Sequence, residues 1–236
     1  MMLSSGKNIG LLLIVGLIMV VTPMYAIAEL TDDGRLLPVD ESDRDPTLIS
    51  FMERLELAVT HREPERLVEL VSGEVYNGLG KDPGIQKFAE YWKVDAIDTE
   101  IWSVLEPILK MGGGFVRSEK GVQYCAPYVF TEFPENLDVF DYGAVIEESA
   151  QLMAEPSSSS MLVATLSYHV IKIQDWRSVP DMNQTPDLFW ISVSTLDGKE
   201  GFIRRQEVRS PSEFSACFLQ NKQGVWKLNS LFSQVD

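Results

Sequence analysis

DGKEGFI, at residues 197–203, is the stretch of the sequence that decides the fold. Asp197 and Gly198 form the kind of pair that occupies tight β-hairpin turns, because glycine accepts the positive φ angle that such turns need. Gly201 has no side chain, so the strand that follows can pack closely against a neighbour. Phe202 is then expected to enter a hydrophobic core. The stretch therefore predicts a hairpin inside a small, tightly packed β-structure.

Short strand candidates surround this turn. They lie around residues 143–146 and at Leu162–Leu166, Tyr168–Gln174, Phe189–Ser194 and Gly201–Ile203. Turn-forming residues separate them, such as the serine-rich run Pro156–Ser160. Many short strands with regular turn signals are typical of a small barrel. We expect the strands between Val145 and Val208 to close around Trp190 and Phe202.

The segments outside this region have other periodicities. Apolar residues recur at helical spacing in Thr47–His61, in a short helix from Pro64 to a stop at Gly73, in Ile85–Trp92 and in Asp98–Leu109. A period of two returns in Tyr124–Phe130 and in a C-terminal hairpin, Phe214–Leu219 with Val225–Phe232. Helices come first and strands later, without a repeated strand–helix unit. The predicted fold class is α+β, with an N-terminal helical part, a small β-barrel and a C-terminal β-hairpin.

The first 28 residues have the three parts of a secretory signal peptide. Lys7 gives a positive start, Ile9–Val21 is an apolar run, and Ala26–Ala28 supplies the small residues of a cleavage site. An uncleaved anchor is the alternative, because the apolar stretch is nearly long enough to span a bilayer. We expect a periplasmic or secreted protein with no membrane span after cleavage. Residues 29–46 are acidic and lack periodicity, which is typical of a linker.

Composition and charge limit the partners. The 236 residues have a hydrophobic fraction of 45% and a formal net charge of −15. A hydrophobic fraction of this size is typical of a globular protein. The acidic surface repels phosphate groups, which excludes nucleic acids and anionic membrane surfaces as partners. A basic or neutral partner remains, such as a protein or a cell-wall peptide.

The chain has two cysteines, Cys125 and Cys217. In an oxidising compartment two such thiols can form a disulfide. That bond would close a loop of about 92 residues and stabilise the protein by about 4–5 kcal/mol. The alternative is a pair of separate, buried thiols.

No set of residues forms a recognisable catalytic or metal-binding motif. A zinc site needs three or four converging ligands, and the sequence has only two histidines, His61 and His169. A Gly-x-Ser-x-Gly motif is missing, and Gly112–Gly114 follows a helix, whereas the glycines of a phosphate loop precede one. Carboxylates that could be paired for acid–base chemistry are typical of a solvated face in so acidic a chain: Asp95, Asp98, Glu100 and Glu106. We predict no metal, no cofactor and no enzymatic activity.

Several motifs of the β-rich region occur in the order of a known family. They are Val145–Glu147, Ala154–Ser157, Leu162–Leu166, Trp190–Val193 and Asp197–Ile203. With these motifs, residues 139–209 resemble the bacterial SH3-like domain of exported proteins of unassigned function. The sequence departs from the family pattern in two places, since Gln151–Met153 replaces an Asn-Val-Arg triplet and Asp175–Leu188 is longer than the usual loop. The resemblance implies an SH3-like barrel with a ligand groove.

The flanking segments carry a second set of motifs, namely Ala58–Glu63, Gln86–Trp92 and Gly224–Leu228. In these they resemble the α+β cone of cystatin-like and nuclear-transport-factor-like proteins. The resemblance implies that the barrel is inserted between early and late strands of the cone, with both cysteines on the strands that flank it. The predicted domains are a signal peptide (1–28), an acidic linker (29–46), a mainly helical α+β part (47–138), the SH3-like barrel (139–209) and a C-terminal hairpin that packs on the N-terminal part (210–236).

Function follows from the resemblance and from the absence of a catalytic motif. SH3-type surfaces bind extended peptides along aromatic grooves. The residues expected to line such a groove are Tyr128, Trp176, Trp190 and Phe202. We expect a non-enzymatic binding or scaffold protein of the cell envelope that recognises a peptide or a peptidoglycan stem. The alternatives are an enzyme with a cone-shaped pocket and a secreted inhibitor or immunity-type protein that binds a basic enzyme.

Overall fold

A computed structural model describes residues 30–78, 83–183 and 185–234. The predicted signal peptide, residues 1–28, lies outside the described residues. The described chain is an α+β structure with two sheets, which confirms the predicted class. Its helices are α1 (Pro46–Thr60), α2 (Pro64–Leu70), α3 (Ile85–Trp92), α4 (Ile101–Lys110) and α5 (Tyr128–Thr131). None of the helices in these ranges is long and apolar enough to cross a membrane.

The first sheet has five strands and is covered by helices. Its strands are β1 (Val71–Tyr76), β2 (Gly114–Ser118), β3 (Gly121–Ala126), β11 (Ser215–Gln220) and β12 (Trp226–Phe232). Their order is β1-β12-β11-β3-β2, and only the β1–β12 pair is parallel. Helices α1 and α4 pack on this sheet, and the core between them includes an edge-to-face pair of Phe51 and Phe218 with centroids 5.6 Å apart. The C-terminal hairpin, β11 and β12, is therefore part of the sheet on which the N-terminal helices pack.

Helix α1 shows how the sequence sets these elements. The side chain of Asp45 accepts hydrogen bonds from the backbone N–H groups of Thr47 and Leu48, and Pro46 occupies the first turn. These features satisfy donors that a helix start leaves free. Leu48, Phe51 and further residues at helical spacing are fully buried against the sheet. The predicted helix is confirmed within one residue at each end.

The second sheet has seven antiparallel strands and is curled into a half-barrel. They are β4 (Tyr142–Val145), β5 (Ala150–Met153), β6 (Leu162–Leu166), β7 (Val170–Pro180), β8 (Phe189–Thr195), β9 (Glu200–Arg204) and β10 (Val208–Arg209). Their order is β10-β4-β7-β8-β9-β5-β6. The end strands β10 and β6 do not pair with each other, so the expectation that this region curls shut is corrected. The half-barrel has an open edge at β6.

Residues 201–203 of the DGKEGFI stretch differ in whether they face the half-barrel core. A Cβ atom on Gly201 would lie 2.5 Å from the carbonyl oxygen of Met153, so only glycine fits this crossing. Gly201 pairs with Val193, and Ile203 pairs with Ile191, which places these side chains on the inner face. Phe202 lies between them and points to the outer face, where it is only partly buried. The prediction that Phe202 enters the core was wrong, because Ile203 takes that place.

The segment predicted as a linker contacts both sheets within its described part. Leu36 is 3% exposed, and its N–H donates a 2.7 Å hydrogen bond to the carbonyl oxygen of Tyr168. Further along, Glu41 N–H donates to the carbonyl oxygen of Gly113 at 2.9 Å. The hydroxyl of Tyr124 donates to Asp40 Oδ1 at 2.9 Å. Residues 30–41 thus join the half-barrel to the five-stranded sheet.

Candidate functional site

A cavity of about 620 Å³ lies at the open edge of the half-barrel. It is bounded by residues 30–34, by Ala164–Leu166 of β6, by His169–Val170 and by the β8–β9 turn at Thr195–Asp197 and Lys199. We call it the edge cleft. Its volume is within the range of about 300–1,000 Å³ that ligand pockets occupy.

The β8–β9 turn lines one side of the edge cleft and is held by hydrogen bonds. Gly198 has a φ of 87°, the conformation expected from the sequence. The hydroxyl of Thr195 donates to Asp197 Oδ1 and accepts a 2.9 Å hydrogen bond from Lys199 N–H. Lys199 Nζ lies 2.8 Å from Asp197 Oδ2. The hydrogen bonds from Lys199 and Thr195 lower the pKa of Asp197, which therefore stays charged.

The opposite wall is the segment Leu30–Gly34. Thr31 donates a hydrogen bond to Asp33 Oδ1, and Arg35 Nε lies 2.9 Å from Asp33 Oδ2. The hydrogen bonds from Thr31 and then Arg35 lower the pKa of the Asp33 carboxyl. An isolated bridge between Arg35 and His169, with a 2.9 Å hydrogen bond from Val170 N–H to the Gly34 carbonyl, attaches the wall to β7. These contacts give the wall a defined conformation beside the start of β7.

The four aromatic residues predicted to bind a ligand do not line the edge cleft. Tyr128 is 2% exposed, and burial, followed by the nearby Tyr168, raises its pKa. Trp176 donates a 2.8 Å hydrogen bond from Nε1 to the Phe140 carbonyl, and the Arg205 guanidinium lies 5.3 Å from its ring centroid. Trp190 and Phe202 share the outer face of the sheet. The structure therefore does not collect the four side chains in one groove, and their role in binding stays a prediction.

The long loop after β7 covers Trp190. Asp181 is 2% exposed and accepts a 3.0 Å hydrogen bond from Trp190 Nε1 and a 2.9 Å one from the Thr185 hydroxyl. Asn183 Nδ2 donates to Ser157 Oγ at 2.8 Å, which ties the loop to the turn before β6. Burial raises the pKa of Asp181, but the hydrogen bonds from Thr185 and Trp190 outweigh it and lower the pKa overall. The described residues of the loop thus cover the Trp190 ring, which is 1% exposed.

Asp181→Asn should loosen this loop without a change of shape. The two carboxylate oxygens accept from two N–H groups, Trp190 Nε1 on Oδ1 and Asn183 N on Oδ2. The amide has only one acceptor oxygen, so it cannot keep both bonds in this geometry. We expect hydrogen exchange of the Trp190 indole N–H to accelerate by about tenfold or more, because bonds to charged acceptors are among the stronger ones. NMR of the indole signals measures this rate. Asp187→Asn, the same change on an exposed residue of the same loop, is the control and should leave the rate unchanged.

Comparisons with family models, curated proteins and solved structures gave no match to this chain. Cys125 and Cys217 form a disulfide between β3 and β11, with their Cα atoms 4.1 Å apart. This bond is compatible with an oxidising, extracytoplasmic location. In the three described ranges, no group of three or more His, Cys, Asp or Glu side chains is arranged to hold a metal ion.

No sequence motif indicates the edge cleft, because its walls are far apart in the chain. One signal for it is present in the sequence. Residues 156–171 contain no Asp, Glu, Lys or Arg, although charged residues make up 23% of the chain. This uncharged run contains β6, the strand at the open edge.

Proposed function

We propose that this protein is a non-enzymatic binding or scaffold protein of the cell envelope. Its half-barrel is of the SH3-like type and recognises a peptide, with the stem peptide of peptidoglycan as the wall ligand. The protein acts after export, in the periplasm or outside the cell. The observation that carries this proposal is the edge cleft at the open edge of the curled sheet.

The size and walls of the edge cleft support a peptide as the ligand. An extended peptide needs a long, shallow surface with backbone groups to bind and with pockets for side chains. The edge cleft offers the side of β6, a turn held by Thr195 and Asp197, and a wall held by Asp33 and Arg35. These parts are fixed by hydrogen bonds before any ligand arrives, which lowers the entropic cost of binding.

Two further features support the exported, SH3-like assignment. The disulfide between Cys125 and Cys217 fits an oxidising compartment, as does the signal peptide predicted from the sequence. In the half-barrel, Gly198 has the positive φ of a tight turn and Gly201 lies where a Cβ atom would clash with the Met153 carbonyl, which supports the assignment based on the motif Asp197–Ile203.

Retention on isolated peptidoglycan tests the wall-ligand proposal. The exported protein should be retained at moderate salt and released by an excess of soluble stem peptides. Leu196 packs on Gly34 in the edge cleft and is 50% exposed, so Leu196→Trp should fill the cleft and abolish most of the retention. Val225→Trp changes a residue of similar exposure, 43%, in the β11–β12 turn beside the other sheet and is the matched control. Failure of the unchanged protein to be retained would refute recognition of the wall.

A further inference from the structure

Strand β6 ends its sheet and, among the described strands, pairs with β5 alone. Its residues Ala164–Leu166 line the edge cleft. Leu162, its first residue, is 48% exposed, and Met161 just before it is 72% exposed. Proteins protect such edges with charges, proline, bulges or a covering segment, because an exposed edge readily pairs with another chain.

The other three sheet edges of the described structure are protected. Strand β10 has only two residues. Strand β2 is covered by Glu41, whose carboxylate accepts a 3.0 Å hydrogen bond from Phe115 N–H. At β1, the Val75 carbonyl accepts a 2.9 Å hydrogen bond from Gly84 N–H. Strand β6 is longer than β10 and has no charged residue and no proline. Its pairing with β5 is irregular only near its start, where Met153 pairs with Leu162 and Leu152 with Ala164. The part that lines the edge cleft, Ala164–Leu166, is paired regularly with β5 and is the least protected edge of the described sheets.

The surroundings of β6 are acidic. Asp32, Asp33 and Asp197 line the edge cleft together with one lysine, Lys199. In the described ranges Asp33 and Asp197 have ion-pair partners, whereas Asp32 has none. The two ends of β6 add further carboxylates: Glu155 precedes it, and Glu147 and Glu148 lie next to Tyr168. The net charge of the chain, −15, acts in the same direction. A basic occupant is attracted here, and a second copy of this chain is repelled.

We propose that β6 binds a basic peptide in the extended conformation, which adds to the half-barrel as an eighth strand. This inference rests on the proposed function and names the binding surface and the ligand chemistry. Main-chain hydrogen bonds to β6 supply affinity, and alternate side chains of the peptide face the carboxylates. A partner that matches the five residues of β6 spans about 17 Å.

The first test uses a fluorescent hexapeptide that alternates lysine and valine, with anisotropy as the readout on the exported protein. Two matched peptides accompany it, one with glutamate in place of lysine and one methylated on alternate backbone nitrogens. Two methylated peptides are made, one on the odd and one on the even backbone nitrogens, because either set of N–H groups can face β6. We expect the lysine peptide to bind at least tenfold more tightly than the glutamate peptide and than one methylated form. Equal binding of all the peptides would overturn the proposal.

A second experiment tests whether the peptide binds at β6. Thr165 is an exposed residue of β6 that lines the edge cleft, so Thr165→Lys should weaken binding of the lysine peptide at least tenfold. Val122→Lys alters an exposed strand residue of the other sheet, 52% exposed, and should bind like the unchanged protein. Thermal unfolding checks that both variants are folded.

The outcomes separate this inference from the proposed function. If Thr165→Lys binds the peptide as well as the unchanged protein, strand addition at β6 is refuted while peptide recognition stands. If sedimentation shows a dimer that Thr165→Lys dissociates, a second copy occupies the edge and the basic-peptide proposal is overturned. If the protein binds neither the peptides nor peptidoglycan, the proposed function itself fails.

Discussion

Removal of the disulfide should lower the free energy of unfolding by about 4–5 kcal/mol. Cys125 and Cys217 are 92 residues apart, and the bond between them restricts the unfolded chain far more than a short loop would. For a chain of about 200 residues the melting temperature should fall by about 8–20 °C. Cys125→Ala/Cys217→Ala is the variant, and urea unfolding monitored by tryptophan fluorescence is the measurement.

The urea dependence gives an independent check of the cause. Without the bond the unfolded chain is less compact, so the slope of the free energy against urea concentration should rise. The unchanged protein treated with reductant should match the double variant in both midpoint and slope. Reductant should leave the double variant unchanged, which is the control. A loss below about 1 kcal/mol, with an unchanged slope, would show that the bond does not act through the unfolded chain.

The disulfide also shows which long-range features the sequence can indicate. Cysteine count and export left a bridge and two free thiols as alternatives. The resemblance to the cone placed both cysteines on strands that flank the half-barrel, and the structure has them directly opposite each other on β3 and β11. The choice between the alternatives needed the register of two strands, which local pattern does not encode.

Elements with strong local signals were predicted well. Ile85–Trp92 and Leu162–Leu166 have the predicted bounds, because helical spacing and turn signals are local. The helix predicted from Pro64 to a stop at Gly73 is too long, because α2 ends at Leu70 and Val71–Tyr76 is a strand parallel to β12, more than 150 residues away in the chain. β-propensity depends strongly on such partners. Tyr124–Phe130 was predicted as one strand, but β3 ends at Ala126 because Pro127 has no N–H to donate.

The edge cleft was beyond sequence analysis for the same reason. Its wall is part of a segment that composition assigns to a linker. The contacts of this segment, such as the bridge from Arg35 to His169, join residues more than 130 positions apart. The aromatic residues chosen from the sequence were large and close to loops, but Trp190 is covered by the Asp181 loop and Tyr128 is buried. Large aromatic side chains are stabilised by burial, so their residue type indicates that they pack in a core. It does not indicate which of them are exposed to a ligand.

Gly113→Ala should be nearly as damaging as loss of the disulfide. A Cβ atom at this position would lie 2.0 Å from the carbonyl oxygen of Cys125 and 3.0 Å from the Cα of Ala126. Both are backbone atoms of β3, which pairs with β2 and β11 and carries the disulfide. The clash is between backbone atoms, which cannot move apart without disturbing the pairing of β3. We therefore expect a loss of about 3 kcal/mol or more in the free energy of unfolding.

Gly73→Ala is the matched control, because Gly73 lies in β1 of the five-stranded sheet and Gly113 directly precedes β2 of the same sheet. A Cβ atom there meets nothing within 4 Å, so the change should be neutral or stabilise the protein by about 0.4–1 kcal/mol through the unfolded chain. Urea unfolding of both variants measures the difference. Glu41 N–H donates to the Gly113 carbonyl, so displacement of Gly113 should also reach the segment that forms the wall of the edge cleft. Equal stability of the two variants would contradict this prediction, because it would mean that the chain at Gly113 can move away from β3 with no loss in the free energy of unfolding.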